Sequence, residues 1–397
     1  LVTMGRLADR YGRRRLFTIG LVVFSAASLL VGLAPDVAPH VGARALQGVG
    51  GALLLPASLG LLLAVTPTDR RSTMVAAWGA LSSLGIATGP SVGAVIVEFA
   101  GWRWAFLILP PVALVSWLFG RGHLVDPPTD PTAPVPDIAG SALLMGAVAS
   151  FVFAISQSRP WGWSDPGVRA AFALAAAFAV VFALRSRRHP APVLPLDLFR
   201  SRAFSASNTS ALVLSIALGG ILLVNILFLT GVWGYSILGA GLASTPAPLV
   251  VTVVSPLAGR LADRIGERPL AAPGALVFAS GVVWYLWRVG ESAAYWTEWL
   301  PGNIAVGVGI GMTLPMLSSS AVRDVAADRY AVAGGVLQTA RQIGSALGVA
   351  LVVAIIGDPG PDEALAAFDR AWVVIAVLGA SSAITSWSIG PRPPVTA

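Results

Sequence analysis

The chain of 397 residues has no cysteine, no lysine, three histidines and only 19 acidic side chains. Without cysteine there is no disulfide, no thiolate nucleophile and no cysteine-held zinc or iron–sulfur site. His40, His123 and His189 lie far apart in sequence and near predicted loops, so they offer no metal cluster. No metal and no cofactor are expected. A Gly-x-x-x-x-Gly-Lys-Ser/Thr run is absent too, which argues against ATP hydrolysis by this chain. Charged residues make up 11% of the sequence, less than half the roughly 25% of a soluble domain. With 56% hydrophobic residues and a mean hydropathy of +0.78, a soluble globular fold is excluded. The acidic or histidine clusters that a polytopic transferase would place in its loops are also missing, so no enzyme is expected.

What is present is a series of long apolar runs broken by Arg, Asp, Pro and Gly. A bilayer core takes roughly 20 apolar residues per helix. On that measure about twelve spans are expected, near 16–34, 40–65, 74–99, 102–122, 137–156, 167–184, 205–230, 241–262, 270–289, 296–318, 331–357 and 370–390. The net charge of +7 is carried by 26 Arg. In an all-α membrane bundle such charge marks the cytoplasmic face rather than a nucleic-acid partner. If the stretch 5–15 is cytoplasmic, alternate loops hold 19 Arg inside against five outside (Arg103, Arg159, Arg169, Arg288 and Arg370), with Arg44 and Arg341 inside apolar spans. Trp102, Trp104, Trp161, Trp163, Trp233, Trp296, Trp299 and Trp372 fall at the predicted outer ends, as an interfacial belt would.

The sequence also repeats itself. Gly5-Arg6-Leu7-Ala8-Asp9-Arg10-Tyr11-Gly12-Arg13-Arg14-Arg15-Leu16 returns as Gly259-Arg260-Leu261-Ala262-Asp263-Arg264-Ile265-Gly266-Glu267-Arg268-Pro269-Leu270, an offset of 254. At an offset of 259, Gly48, Gly50 and Pro56 answer Gly307, Gly309 and Pro315, and Gly85 and Gly89 answer Gly344 and Gly348. Eight predicted spans separate the two motif copies, an even number, so both lie on one side of the membrane, as in parallel repeats.

GRLADRYGRRRL resembles the loop between the second and third helices of the major facilitator superfamily, and its second copy resembles the family's second-half version. Eight intervening spans resemble the fourteen-helix drug/proton antiporters. Arg44-Ala45-Leu46-Gln47-Gly48 is similar to the fourth-helix motif, and Gly85-Ile86-Ala87-Thr88-Gly89-Pro90-Ser91-Val92-Gly93 to the antiporter motif of the fifth. The resemblance implies two pseudo-symmetric six-helix halves and a two-helix insert. The first half would occupy 1–122, lacking its first helix and most of its second. The extra helices would occupy 123–184, a cytoplasmic connector 185–204, the second half 205–390 and a cytoplasmic tail 391–397. An N-terminal truncation is therefore expected, with the family's membrane-embedded acid in the missing segment. The implied activity is alternating-access, proton-coupled export of amphipathic small molecules, in a bacterial cell membrane and as a monomer. Uptake by symport, or a polytopic protein that does not transport, are the alternatives.

Gly5, Asp9, Arg10, Gly12 and Arg13, with Gly259, Asp263, Arg264 and Gly266, are the expected gating motif: glycine for close approach and turning, aspartate for capping or pairing. Arg44, Gln47 and Gly48 share one helical stripe, and an intramembrane Arg is by default a pathway or coupling candidate, as are Arg341 and Asn225. An anchoring role for either Arg, and helix-to-helix bonding for Asn225 and Gln338, are the plainer readings. Gly85, Gly89 and Gly93 leave a side-chain-free stripe for a neighbouring helix, and Pro90 removes a backbone hydrogen bond. All acids fall in loops or at helix ends. Pro127–Pro131 and Pro190–Pro195 are read as linkers, and 194–204 as a short helix on the inner membrane surface.

This topology places the Arg-rich connector inside the cell. A cysteine introduced at Arg188 should resist a membrane-impermeant thiol reagent in intact cells. Labelling there contradicts the orientation.

Overall fold

The computed structural model describes residues 2–67, 71–122, 124, 135–325, 329–358, 360 and 363–390; the side chains of Asp9, Pro90 and most of 71–87 are outside that description. The Pro127–Pro131 linker and the 391–397 tail also lie outside it. No strand occurs among the described residues, and the chain divides into two compact units, Leu1–Asp137 and Ile138–Ala397.

The first unit contains α1 (Val2–Tyr11), α2 (Arg13–Leu33), α3 (Val37–Ala64), α4 (Arg71–Ala100), α5 (Trp104–Leu107) and α6 (Leu109–Gly120). The Arg-rich motif is therefore mostly helical rather than a loop. A left-handed residue is needed only at Gly12, with φ 98°, and α2 resumes one residue later. Among the described residues ten helical stretches are long and apolar enough to cross a membrane. The two further spans expected at 74–99 and 102–122 correspond to α4 and to the pair α5 and α6. That pair breaks at Ile108, because Pro110 and Pro111 have no N–H to continue the ladder.

The second unit contains α7 (Ile138–Gln157), α8 (Pro166–Arg188), α9 (Arg202–Gly231), α10 (Ile237–Ser244), α11 (Pro246–Ile265), α12 (Arg268–Arg288), α13 (Leu300–Val322), α14 (Tyr330–Ile356) and α15 (Ala364–Trp387). Asp165 caps α8 by accepting from the backbone N–H groups of Gly167 and Val168, and Arg185, Arg187 and Arg188 occupy its last turn, opposite in sign to the dipole there. Gly266, with φ 86°, separates α11 from α12 just as Gly12 separates α1 from α2. Between α8 and α9 there is only one 3-10 turn, Leu196–Arg200, in place of the expected surface helix. Ser201 caps α9 through the N–H of Phe204, so 202–204 already belong to the membrane helix. The two extra helices belong to this second unit: Arg159, just beyond α7, donates from Nη1 to the carbonyl of Ile355 at the end of α14.

The sequence repeat is a repeat of packing. A Cβ at Gly20 on α2 would lie 2.8 Å from Leu53 Cβ and 3.1 Å from Gly50 O, and one at Gly274 on α12 would lie 2.7 Å from Met312 Cβ and 3.2 Å from Gly309 O. Gly50 in turn sits against the backbone of Phe24, and Gly309 against that of Phe278. Thus α2 crosses α3 and α12 crosses α13 backbone to backbone, at residues related by the repeat offsets. The other repeated glycines diverge. Gly307 packs on Ala247 of α11, and Gly344 and Gly348 on Leu212 and Ile216 of α9, whereas Gly48, Gly85 and Gly89 have nothing within 4 Å among the described residues.

The core of the second unit is aromatic. Tyr285 and Trp299 stack at 4.7 Å, and Phe228 and Trp372 approach to 4.9 Å, all four fully buried. This corrects the expected tryptophan belt. Trp102, Trp104, Trp161, Trp163 and Trp296 are exposed, but Trp233, Trp299 and Trp372 are interior, because Trp233 packs on Trp299 and Trp372 on Phe228 and Tyr285.

An alanine at Gly309 must displace the Phe278 backbone, and overpacking of this kind costs about 1–3 kcal/mol. Thermal unfolding in detergent should register that loss for Gly309→Ala. Gly259, whose Cβ direction is open, should accept alanine with almost no shift. Equal losses at the two sites contradict the packing assignment.

Candidate functional sites

The repeated motif positions a polar contact at the same place in each unit. Arg13, at the start of α2, donates from Nη1 to Gly60 O of α3 at 2.9 Å. Its repeat partner is Glu267, and Gly60 answers Ser319; Ser319 Oγ donates to Glu267 Oε1 at 3.1 Å. The same junction is thus tied by a cation in one half and by an acid in the other. A Cβ at Gly60 would meet Arg13 Cδ at 2.7 Å, so a side chain there would have to push the flexible end of Arg13 aside. Glu267 is 4% exposed, and Arg323 Nη1 lies 3.5 Å from its Oε2. Arg323 also donates to Ile389 O at 3.2 Å and to Asp324, whose other oxygen accepts from Ser201 Oγ at 3.0 Å. The network therefore gathers the ends of α9, α12, α13 and α15.

Beside it, Arg329 pairs with Asp197 on the 3-10 turn. The hydrogen bond from Arg329 holds the Asp197 carboxyl below its ordinary value, so this pair contributes at neutral pH and above. The contribution is lost as pH falls through the lowered value.

The expected gating residues are distributed differently. Gly5 meets Pro56 Cβ at an ordinary 3.4 Å, Gly259 meets nothing among the described residues, and Gly12 and Gly266 make the helix breaks. Asp263 and Arg264 are exposed; Arg10 lies over the Tyr11 ring, and the side chain of Asp9 is outside the described residues.

Arg44 donates to Gln47 Oε1, Gln47 Nε2 donates to Ser28 Oγ at 2.7 Å, and Ser28 Oγ donates to Phe24 O at 2.7 Å. The guanidinium of Arg44 is 5.4 Å from the centroid of Phe106, whose ring also meets His40 and Trp102. A chain of polar groups thus runs from an exposed cation to the buried Gln47. By the repeat offset Arg44 answers Asn303, which is 2% exposed and accepts from the backbone N–H of Ala247 at 2.7 Å. Asn225 is buried and accepts from Trp372 Nε1 at 3.3 Å, tying α9 to α15. Arg341 on α14 donates from Nη2 to Leu314 O at 2.9 Å and to Ser318 Oγ at 2.8 Å, both on α13. Among the described residues Gly85, Gly89 and Gly93 have open Cβ directions along α4; Pro90 lies on the same helix, its side chain outside the description.

Sequence reasoning passed over Glu267, Arg323 and Asn303. The signal for Glu267 was available: it is one of the few positions at which the two motif copies differ, and a difference of charge at an otherwise repeated site asks for a changed partner.

Two helical units built on one packing plan, with polar ties at helix ends and an arginine inside a span, define a polytopic membrane transporter fold. The chain belongs to the Major Facilitator Superfamily, whose family model matches residues 1–349 and 207–397. It is 36% identical over 357 residues to the puromycin resistance protein pur8 of Streptomyces alboniger, covering 89% of this chain and 70% of that protein. It is 30% identical over 370 residues to the tetracenomycin C resistance and export protein of Streptomyces glaucescens, covering 91% and 68%. It is 32% identical over 358 residues to the multidrug resistance protein Stp of Mycobacterium tuberculosis, covering 90% and 66%. Among solved structures, a POT family transporter in complex with 5-aminolevulinic acid superposes with a TM-score of 0.69 at 17% identity, covering 98% of this chain and 85% of that one. That likeness shows the fold. The protein is a transporter of small molecules with drug-resistance and efflux relatives, and not an enzyme.

Removing Arg323 leaves the nearly buried Glu267 carboxylate without its cation, a loss of about 1–3 kcal/mol. Arg323→Ala should lower the unfolding temperature, and adding Glu267→Gln to that background should restore part of it. Additive losses contradict the coupling.

Proposed function

We propose that the chain exports amphipathic small molecules in exchange for protons, by alternating access, across a bacterial plasma membrane, as a monomer with its C-terminus in the cytoplasm. The observation that carries this reading is the similarity, along about nine-tenths of the chain, to relatives named for resistance and export. The Gly85–Gly93 segment, which resembles the antiporter motif, supports the same direction of transport. Such a carrier makes no covalent bond. Its energy comes from the gradient, roughly 2.3 kcal/mol per charge per 100 mV. The motif around Gly12 and Gly266, with the Arg13 and Glu267 ties, is the proposed gate; Arg44, Gln47, Gly48, Asn225 and Arg341 are proposed for the pathway or its coupling.

We infer further that the carrier is of the fourteen-helix kind, on the eight spans expected between the two copies of the Gly-Arg-Leu-Ala-Asp-Arg motif. Among the described residues Gly48, Gly85 and Gly89 have no neighbour within 4 Å, where their repeat partners Gly307, Gly344 and Gly348 are covered by α11 and α9. Polar groups and bare backbone on those open faces gain nothing from lipid.

Cells expressing the complete carrier should hold less of a fluorescent lipophilic cation than control cells, and an uncoupler should erase the difference. Greater accumulation on expression overturns export in favour of uptake.

A further inference from the structure

Arg341 lies eleven residues beyond Tyr330, where α14 begins, about 16 Å along the helix at 1.5 Å per residue. That depth is roughly half of a 30 Å hydrocarbon core. The side chain turns onto α13, where one nitrogen, Nη2, donates to both Leu314 O and Ser318 Oγ. These acceptors lie eight and four residues before Val322, the end of α13, about 6–12 Å inside that helix at 1.5 Å per residue. Nε is buried and bonds to nothing, and Nη1 makes no hydrogen bond among the described residues. No carboxylate lies within ion-pair distance of this guanidinium among them.

A strap between α13 and α14 needs a donor but no charge. A neutral glutamine or serine would bond a carbonyl and a hydroxyl without bringing a cation into a low dielectric, where an unpaired charge is costly. The guanidinium presents five N–H donors in a planar fork shaped for two oxygens. Here only one of its nitrogens is engaged, and both acceptors are neutral. What the site lacks is an anion.

We propose that Arg341 is an anion-recognition site for cargo, and that the transported class includes amphipathic molecules carrying a single carboxylate, whose charge cancels that of the guanidinium within the membrane. This rests on the transporter reading and names a substrate class for it. A cargo carboxylate fits the site better than a lipid headgroup, because headgroups lie at the membrane surface while the guanidinium is held within α13, at Leu314 and Ser318.

The test is equilibrium binding of 1-pyrenebutyrate and of its methyl ester to the full chain in phosphatidylcholine nanodiscs, with empty nanodiscs subtracted. The wild type should bind the acid at least about tenfold more tightly than the ester. Arg341→Gln should bring the two within about twofold while ester binding stays unchanged, and Arg341→Lys should keep the preference. Equal binding of acid and ester by the wild type, no binding of either, or a preference that survives Arg341→Gln each overturns the assignment. Loss of the wild-type preference only when phosphatidylglycerol is added would assign the site to lipid phosphate and also overturns it. If Arg341→Gln fails to fold, Ser318→Ala, which removes one of the two acceptors and keeps the charge, should retain the preference; its loss there overturns the proposal. Failure of efflux in cells with the acid preference intact would count against export and not against this site.

Discussion

Close approach of helix backbones holds this protein together. In a bilayer the hydrophobic effect does not draw one apolar helix to another, because lipid tails are as apolar as leucine; contact depends on dispersion, and dispersion needs proximity. Glycine supplies that proximity. Gly20 and Gly50 let α2 and α3 meet along their main chains, and Gly274 and Gly309 do the same for α12 and α13. Gly344 and Gly348 repeat the device between α14 and α9. The polar ties, the aromatic core and the arginine inside a span are all placed by those crossings.

The two halves keep the crossings and alter what is attached to them. Arg13 and Glu267 occupy one repeated position and reach repeated partners, Gly60 and Ser319, with opposite charge. Arg44 and Asn303 occupy another, one exposed on an aromatic cluster and one buried on a backbone N–H. Duplication preserves the contacts that fix helix geometry, while residues that only use the geometry are free to diverge.

The spans, the internal repeat and the family could be read from the sequence, because hydropathy, glycine spacing and the Gly-Arg-Leu-Ala-Asp-Arg run are local signals. The helical continuation through 5–11 could not, since charge in the motif suggests a loop and only Gly12 breaks the backbone. Burial of Trp299 and Trp372 was hidden for a deeper reason. Inside a membrane both the packed and the lipid-facing sides of a helix are apolar, so hydropathy does not tell core from surface, and tryptophan suits either place. Arg341 could be found as a charge in a span, but its lopsided bonding through Nη2 depends on where α13 lies.

The central claim is that both halves share one packing plan, in which glycine lets α2 cross α3 and α12 cross α13 at residues related by the repeat. Thermal unfolding of Gly50→Ala beside its repeat partner in detergent tests it most directly. The account predicts a comparable loss at both positions, about 1–3 kcal/mol, because a Cβ at Gly50 meets the Phe24 backbone just as one at Gly309 meets that of Phe278. A loss at Gly309 with none at Gly50 would contradict the account.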